Sequence, residues 1–153
     1  DGTFSEDGAD YRAGWYLRNP PGSSHRPSSG EGAVIFVKLQ QMACREQRHV
    51  RIDTRDPANW RTEQGRAVCP LFSDAAEQVS LQRLAPHEAL LADACAGLEM
   101  LVLEGEVFAH QQPCARRSWL RLPAGALPAI AAGAQGATVY LKTRHLAPAP
   151  LKG

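Results

Sequence analysis

The chain has 153 residues, and its 17 lysines and arginines nearly balance 16 acidic residues, which gives a formal net charge of +1. This length supports one good hydrophobic core or two small ones, and the absence of a basic run argues against direct nucleic-acid binding. No apolar stretch is long enough to span a membrane and no signal-peptide pattern is visible, so we expect a soluble, cytoplasmic protein with no membrane partner.

The first elements read as short strands separated by turns. Residues 1–10 are acidic and contain two turn-forming glycines, and Trp15–Arg18 is a short aromatic stretch with strand character. The sequence NPPG at 19–22 predicts a rigid turn, because proline fixes φ and glycine allows a tight reversal. This turn would hold His25 at a set angle. Residues 33–39 are rich in β-branched side chains and predict a buried strand.

The second part of the chain begins with a polar segment, residues 44–66, that contains Asp56-Pro57 and predicts a connector. Within it, residues 50–54 alternate well enough for an exposed edge strand. β-like patterns then resume at residues 69–72, 79–82 and 100–103. We therefore expect an all-β protein.

The four cysteines are widely spaced and form no C-x-x-C pair, which argues against a zinc ribbon or a thioredoxin-like site. They are Cys44, Cys69, Cys95 and Cys114. We expect reduced thiols, since structural disulfides are rare in the cytosol.

The sequence also contains an internal repeat. A shift of 103 positions places Gly2 on Gly105, Leu17 on Leu120, Arg18 on Arg121, Pro20 on Pro123 and Gly22 on Gly125. A shift of 104 places Ala33 on Ala137, Val37 on Leu141 and Lys38 on Lys142. WLRLPAG is thus a second copy of YLRNPPG, and ATVYLK of AVIFVK. Two tandem copies of one β unit predict two small antiparallel barrels or jelly rolls.

The spacing of Gly14, Pro20, Gly22 and His25 resembles the second conserved motif of the cupin superfamily. The longer string RNPPGSSHRPSS, followed by IFVKL, is similar to the ChrR-like cupins, whose type member is the C-terminal domain of an anti-sigma factor. The resemblance implies an RmlC-like jelly-roll barrel, and with the repeat it implies a tandem bicupin.

The repeat and the resemblance together suggest a domain organisation. Residues 1–43 are assigned to the latter part of a first cupin copy, 44–66 to the connector, 67–146 to a second, degenerate copy and 147–153 to a C-terminal tail. The counterpart of residues 81–103 would lie ahead of Asp1, so we expect the first copy to be N-terminally incomplete in this chain. Residues 87–95 have strong helix propensity, but the repeat and the resemblance favour strands there.

Cupins of this type hold a divalent metal with two histidines and a glutamate from a first motif and one histidine from a second. The resemblance makes His25 the second-motif ligand of the first copy, with its remaining ligands expected upstream of Asp1. In the second copy, Glu99 stands at the first-motif glutamate position. The other ligand positions of that copy hold Ala92, Ala94 and Pro128, so Glu99 is expected to be a vestigial ligand. Imidazole and carboxylate ligands favour zinc, with iron or manganese as alternatives, and the chain as recorded can also lack metal.

Three functions are compatible with this pattern. The first is a metal-binding sensory or regulatory module, which the resemblance associates with a protein partner such as a sigma factor. The second is an iron-dependent dioxygenase that cleaves small diketones or aromatic hydroxyketones. The third is a metal-free cupin that binds a small-molecule ligand or serves assembly. Tyr11, Trp15 and Arg18 are candidate pocket-lining residues, and we expect a homodimer.

Overall fold

The structure is a computed structural model that describes residues 1–39, 41–90, 97–126 and 129–144. Twelve β-strands and one short 3-10 turn, Pro57–Asn59, make up the regular structure of these residues. The all-β prediction is confirmed. The chain divides into two units, Asp1–Asn59 (unit 1) and Trp60–Gly153 (unit 2). Among the described residues, no helix is long and apolar enough to cross a membrane.

Unit 1 contains five short strands. They are β1 (Thr3–Glu6), β2 (Ala9–Arg12), β3 (Trp15–Arg18), β4 (Pro27–Ser28) and β5 (Val50–Asp53). β1 lies between β2 and β4, and β3 pairs with β5, all antiparallel. β5 lies within the segment whose alternation predicts an edge strand. The pairing of β5 with β3 places Arg51 beside the turn that leads to His25.

Unit 2 contains the larger sheet. Its strands are β6 (Arg61–Glu63), β7 (Arg66–Ser73), β8 (Gln78–Leu84), β9 (Leu98–Ala109), β10 (Gln112–Ala115), β11 (Trp119–Leu122) and β12 (Ile130–Thr143). The order is β10-β9-β12-β8-β7-β6, and β11 pairs with the first half of β9. Because side chains alternate along β9, Leu98, Met100 and Val102 share one face and are fully buried. They pack in an apolar core with Val139 and other residues of β12.

Strand registers match between the two units at the sequence shift of 103. In unit 1 the β1–β2 pairs are Thr3 with Arg12, Phe4 with Tyr11, Ser5 with Asp10 and Glu6 with Ala9. In unit 2 the β9–β10 pairs are Glu106 with Ala115, Val107 with Cys114, Phe108 with Pro113 and Ala109 with Gln112. The hairpin turns also correspond, since both central residues have positive φ in each: Asp7 and Gly8, then His110 and Gln111. Two positive φ values are the signature of a type I′ hairpin turn.

The strand prediction for residues 33–39 is wrong in this structure. Ala33 makes an isolated bridge with Gly2, but residues 34–39 belong to no strand. A strand needs neighbours to pair with, and unit 1 as described contains no counterpart of β8 or of the first half of β9 alongside this segment. Strand propensity alone therefore did not decide the outcome.

The segment 87–95, for which we expect strands against its helix propensity, is described only as far as Leu90. His87 to Leu90 form no helix, and Ala89 makes an isolated bridge with Ala131. Residues 91–95 lie outside the described residues. Cys95 is among them, while Cys44, Cys69 and Cys114 are free thiols.

A polar cluster around His25

His25 lies in the loop between β3 and β4, just after the predicted rigid turn. The amide of Ser23 donates to the carbonyl of Pro20 at 3.2 Å, and Gly22 has a φ of 80°. Proline at the second position and glycine with positive φ at the third are typical of a type II turn. The hydroxyl of Ser23 donates to the same carbonyl at 2.7 Å. The turn therefore has a defined geometry immediately before His25.

Glu6, the last residue of β1, is the carboxylate of this site. Its side chain is only 3% exposed, and its Oε1 lies 3.5 Å from His25 Nδ1. The same oxygen accepts a hydrogen bond from Asn19 Nδ2 at 2.6 Å. Its second oxygen, Oε2, accepts one from Arg51 Nη2 at 2.7 Å. A buried carboxylate requires such compensation, and here it comes from the turn and from β5.

Arg51 holds the cluster together from β5. Its Nη1 donates to the carbonyls of Arg18 at 3.1 Å and of Val50 at 2.8 Å, and its Nη2 donates to Asn19 Oδ1 at 2.5 Å. Its Nε donates to the hydroxyl of Tyr11 at 3.2 Å. The planar guanidinium thus uses its fixed fork of donors to join β2, β3, β5 and the turn.

His25 is the member of the cluster that lies outside its ion pair and is exposed to solvent. Glu6 and Arg51 form a close ion pair in which each neutralises the other. The His25 side chain is 38% exposed, whereas its carboxylate neighbour is buried. A ligand arriving from solvent would therefore meet the imidazole before the carboxylate.

The residues predicted to line a pocket lie at or next to this cluster. Tyr11 contacts Arg51 through its hydroxyl and also lies under the guanidinium, 5.6 Å from the ring centroid. Trp15 packs edge-on against Tyr11, with ring centroids 5.2 Å apart. Arg18 is buried, and its carbonyl accepts from Arg51. The sequence therefore singled out His25 and these three residues, but not Glu6 and Arg51, which form the ion pair of the cluster.

Glu6, Asn19 and Arg51 were missed from the sequence. The repeat offered a signal for two of them, because Glu6 aligns with Ala109 and Asn19 aligns with Leu122. Where a polar residue of one copy aligns in sequence with an apolar residue of the other, the alignment indicates a site that only one copy carries. Arg51 has no aligned partner within the chain, and only the β3–β5 pairing brings it to the site.

A metal ion needs more ligands than this cluster supplies. Structural and catalytic zinc sites use three or four protein ligands. Among the described residues, no group of three or more histidines, cysteines or acidic residues could hold a metal ion. Both oxygens of Glu6 already accept hydrogen bonds. The described residues therefore supply one oriented imidazole and not a complete metal site.

Glu99 of unit 2 is paired across the sheet with two cationic residues. It is 1% exposed on β9, where it lies opposite Arg121 of β11 and Lys142 of β12. Directly paired residues of adjacent strands present their side chains on the same face. Lys142 is also buried and forms an ion pair with Glu77. Ala92, Ala94 and Pro128, the other predicted former ligand positions, lie outside the described residues.

Residues 1–43 match the family of ChrR cupin-like domains. Among solved structures, the chain is similar to the complex of Rhodobacter sphaeroides SigE with the anti-sigma ChrR, at 17% identity and a TM-score of 0.48. A cupin-like protein of unknown function from Ralstonia eutropha is 18% identical, with a TM-score of 0.47. The Cnp3 cupin domain of Schizosaccharomyces pombe is 13% identical, with a TM-score of 0.48.

These similarities cover only parts of the proteins compared. The first covers 55% of this chain and 48% of the other, the second 52% and 54%, and the third 62% and 74%. The chain thus spans about half the length of the first two structures. No curated protein sequence matches the chain. Residues 1–43 are thus similar to ChrR cupin-like domains, and the regular structure of the described residues is all-β apart from one 3-10 turn.

Proposed function

We propose that the chain is a regulatory cupin module that senses a divalent metal, zinc in the first place, through His25. The observation that carries this proposal is the buried carboxylate of Glu6 lying 3.5 Å from His25 Nδ1, in the segment that matches the family. Histidines that bind metals commonly use one ring nitrogen for the metal and turn the other toward a carboxylate. With Nδ1 beside Glu6, Nε2 is the nitrogen left for a ligand.

The remaining ligands would come from residues outside the described ones. When bound, a divalent metal would supply a Lewis-acidic centre whose coordination responds to oxidation or to an arriving ligand. The described residues would orient the imidazole and transmit changes in its position. Because Glu6 is hydrogen-bonded to Asn19 and Arg51, movement of His25 would shift Glu6 and, through these hydrogen bonds, the turn and β5.

The duplication of the cupin unit is part of the same proposal. Its support is the agreement of sequence shift, strand registers and turn conformations in the two units. In the proposed arrangement unit 1 carries the site, and unit 2 is a degenerate copy in which Glu99 is neutralised by neighbouring cations. The partner class that we propose from the family resemblance is a sigma factor. We further propose a homodimer, which light scattering of the purified chain would test.

Zinc titration monitored by calorimetry tests the metal proposal. We expect His25→Ala to weaken zinc binding by about tenfold or more, the size of effect typical of disturbing a metal site. His110→Ala in unit 2 is the matched control and should leave the affinity unchanged. Equal zinc affinities of the parent chain and His25→Ala would overturn the proposal. Oxygen uptake by the iron-loaded chain with a small diketone would instead favour a dioxygenase.

A further inference from the structure

Asp7 lies in the hairpin turn that follows Glu6 and is bonded to the loop that carries His25. Its Oδ1 accepts a hydrogen bond from the backbone amide of Arg26 at 3.1 Å. Asp7 has a φ of 51° at the first central position of the turn between β1 and β2. Apart from glycine, aspartate is one of the residues most often found with a positive φ. The turn thus directs a carboxylate toward the residue that follows His25.

The hydrogen bond lies at the end of the β1–β4 ladder. In this antiparallel ladder Glu6 pairs with Pro27, so the next position along joins Asp7 and Arg26. The bond therefore prolongs the ladder by one step, with a side-chain oxygen as the acceptor. Because His25 directly precedes Arg26, its backbone is held where the ladder ends.

Unit 2 closes the corresponding ladder through its backbone. At the shift of 103 the matching pair is Ala109 with Ile130, on β9 and β12. The next step of that ladder is a hydrogen bond from the amide of His110 to the carbonyl of Ala129 at 3.0 Å. These two residues align with the two that are bonded through the Asp7 carboxylate. Unit 1 thus joins through a side chain the two positions that unit 2 joins through the backbone.

The other side of His25 is held by the NPPG turn. Ser23 donates to the carbonyl of Pro20 through both its amide and its hydroxyl. Two residues separate Ser23 from Arg26, and His25 is the second of them. The backbone that carries the imidazole is therefore bonded at both ends, to the turn before it and to Asp7 after it.

We propose that Asp7 is a positioning residue for His25, and that its bond to the Arg26 amide keeps the imidazole Nδ1 beside Glu6. This inference rests on the proposed function, in which His25 presents Nε2 to a metal. The imidazole is 38% exposed, and its 3.5 Å approach to Glu6 is longer than an ordinary hydrogen bond. This contact alone holds the ring weakly. A backbone fixed on both sides limits the positions that the ring can take.

The test is the tautomer of His25 in the zinc-free chain, read from long-range proton–nitrogen correlation spectra at about pH 9, where an ordinary imidazole is neutral. We expect the parent chain to carry the ring proton on Nδ1, because that nitrogen lies beside the carboxylate of Glu6. Asp7→Ala should lower the ratio of this tautomer to the other about fivefold, the factor that about 1 kcal/mol represents. Equal ratios in the two proteins would overturn the proposal.

Two matched variants separate positioning from a general effect. Asp7→Asn keeps Oδ1 as an acceptor and should restore the parent ratio, so a ratio as low as that of Asp7→Ala would overturn the proposal. Asp10→Ala removes another carboxylate of the same hairpin, which is bonded to Ser5, and should leave the ratio unchanged. Hydrogen exchange of β1 in Asp7→Ala should match the parent chain. Faster exchange throughout β1 would overturn the proposal, because Asp7 would then act on the folding of unit 1.

Zinc titration distinguishes this inference from the proposed function. Asp7→Ala should weaken zinc binding about fivefold, and Asp7→Asn should restore the parent affinity. If zinc binds the parent chain and Asp7→Ala equally, the positioning role is overturned while the metal proposal stands. If the parent chain binds no zinc, the metal proposal fails, and the tautomer ratio still decides whether Asp7 positions His25.

Discussion

The two units place opposite chemistry on matching backbone registers. Around His25 in unit 1, Glu6 and Tyr11 join a hydrogen-bonded polar cluster. The aligned residues of unit 2 are Ala109 and Cys114, which belong to or pack against the apolar core. The strand pairs and the hairpin turn are retained although the polar groups are not. The same strand pairing and turn therefore form in unit 2 without these polar groups.

Unit 2 nevertheless contains charge of its own. Among the described residues, its buried ionic groups are Glu77, which directly precedes β8, Glu99 of β9 and Lys142 of β12. In unit 1 the His25 side chain is 38% exposed to solvent. The three ionic groups of unit 2 are buried. The difference separates an imidazole that solvent can reach from a set of charges that solvent does not reach.

The largest expected effect is the loss of the buried cation of unit 2. Lys142→Met should lower the free energy of unfolding by about 4 kcal/mol, because it removes the cation of a buried ion pair and leaves the Glu77 carboxylate uncompensated by that charge. Urea unfolding measures the change. The double variant Glu77→Gln with Lys142→Met should recover part of the loss. A loss below about 1 kcal/mol would show that the pair is not closed off from solvent.

Glu6→Ala makes unit 1 resemble unit 2 at one position of the cluster. We expect the free energy of unfolding of unit 1 to fall by about 3 kcal/mol, because Asn19 and Arg51 would both lose a charged hydrogen-bond partner. Hydrogen exchange of β1 and β3 would report the loss. Glu63→Ala, which removes an exposed ion pair with Arg61, is the control and should change stability by less than about 1 kcal/mol. Similar results for both variants would remove the distinction drawn between the units.

The reciprocal change is Ala109→Glu in unit 2. It introduces a carboxylate at a buried position of the apolar core, and we expect a loss of about 2 kcal/mol in unfolding free energy. Ala109→Ser is the smaller matched control. Thermal unfolding of the three proteins measures the order. An unchanged midpoint for Ala109→Glu would indicate that unit 2 can accept the polar cluster.

The smallest expected effect concerns Glu88, whose pKa is held below its usual value. The amide of Ala85 donates to this carboxylate at 2.7 Å, and Arg66 donates to it at 2.8 Å. Because the pKa is lower in the folded state, the stabilisation is present above the usual carboxyl pKa and is lost as the pH falls through the lowered value. Glu88→Gln should cost about 1 kcal/mol at pH 7 and flatten this acidic dependence. An unaltered pH profile of unfolding would contradict this role.

The local features of the fold were predictable because they depend on short-range chemistry. The NPPG turn and the aromatic strand after Gly14 follow from the φ preferences of proline and glycine and from strand propensity. Residues 33–39 have the same propensity but form no strand, since pairing partners decide the outcome. The local sequence pattern therefore predicts the turns more accurately than it predicts which segments pair as strands.

The site was only half predictable for a related reason. His25 is marked by its motif, but Arg51 is brought to it by a strand that lies 26 positions further along the sequence. Nothing in the local sequence of β5 distinguishes Arg51 from a solvent-facing arginine. Glu6 could have been found from its alignment with Ala109, because a carboxylate in one copy and an apolar residue in the other mark a position at which the two copies differ.

The central claim is that Glu6 orients His25 as the metal-binding imidazole of unit 1. Long-range proton–nitrogen correlation spectra of the labelled chain during zinc titration test this most directly, because they observe each imidazole nitrogen. We predict that zinc shifts Nε2 of His25, leaves His110 unmoved, and acts on His25 more weakly in Glu6→Gln. Zinc-induced shifts at His110 with an unchanged His25 would contradict the account.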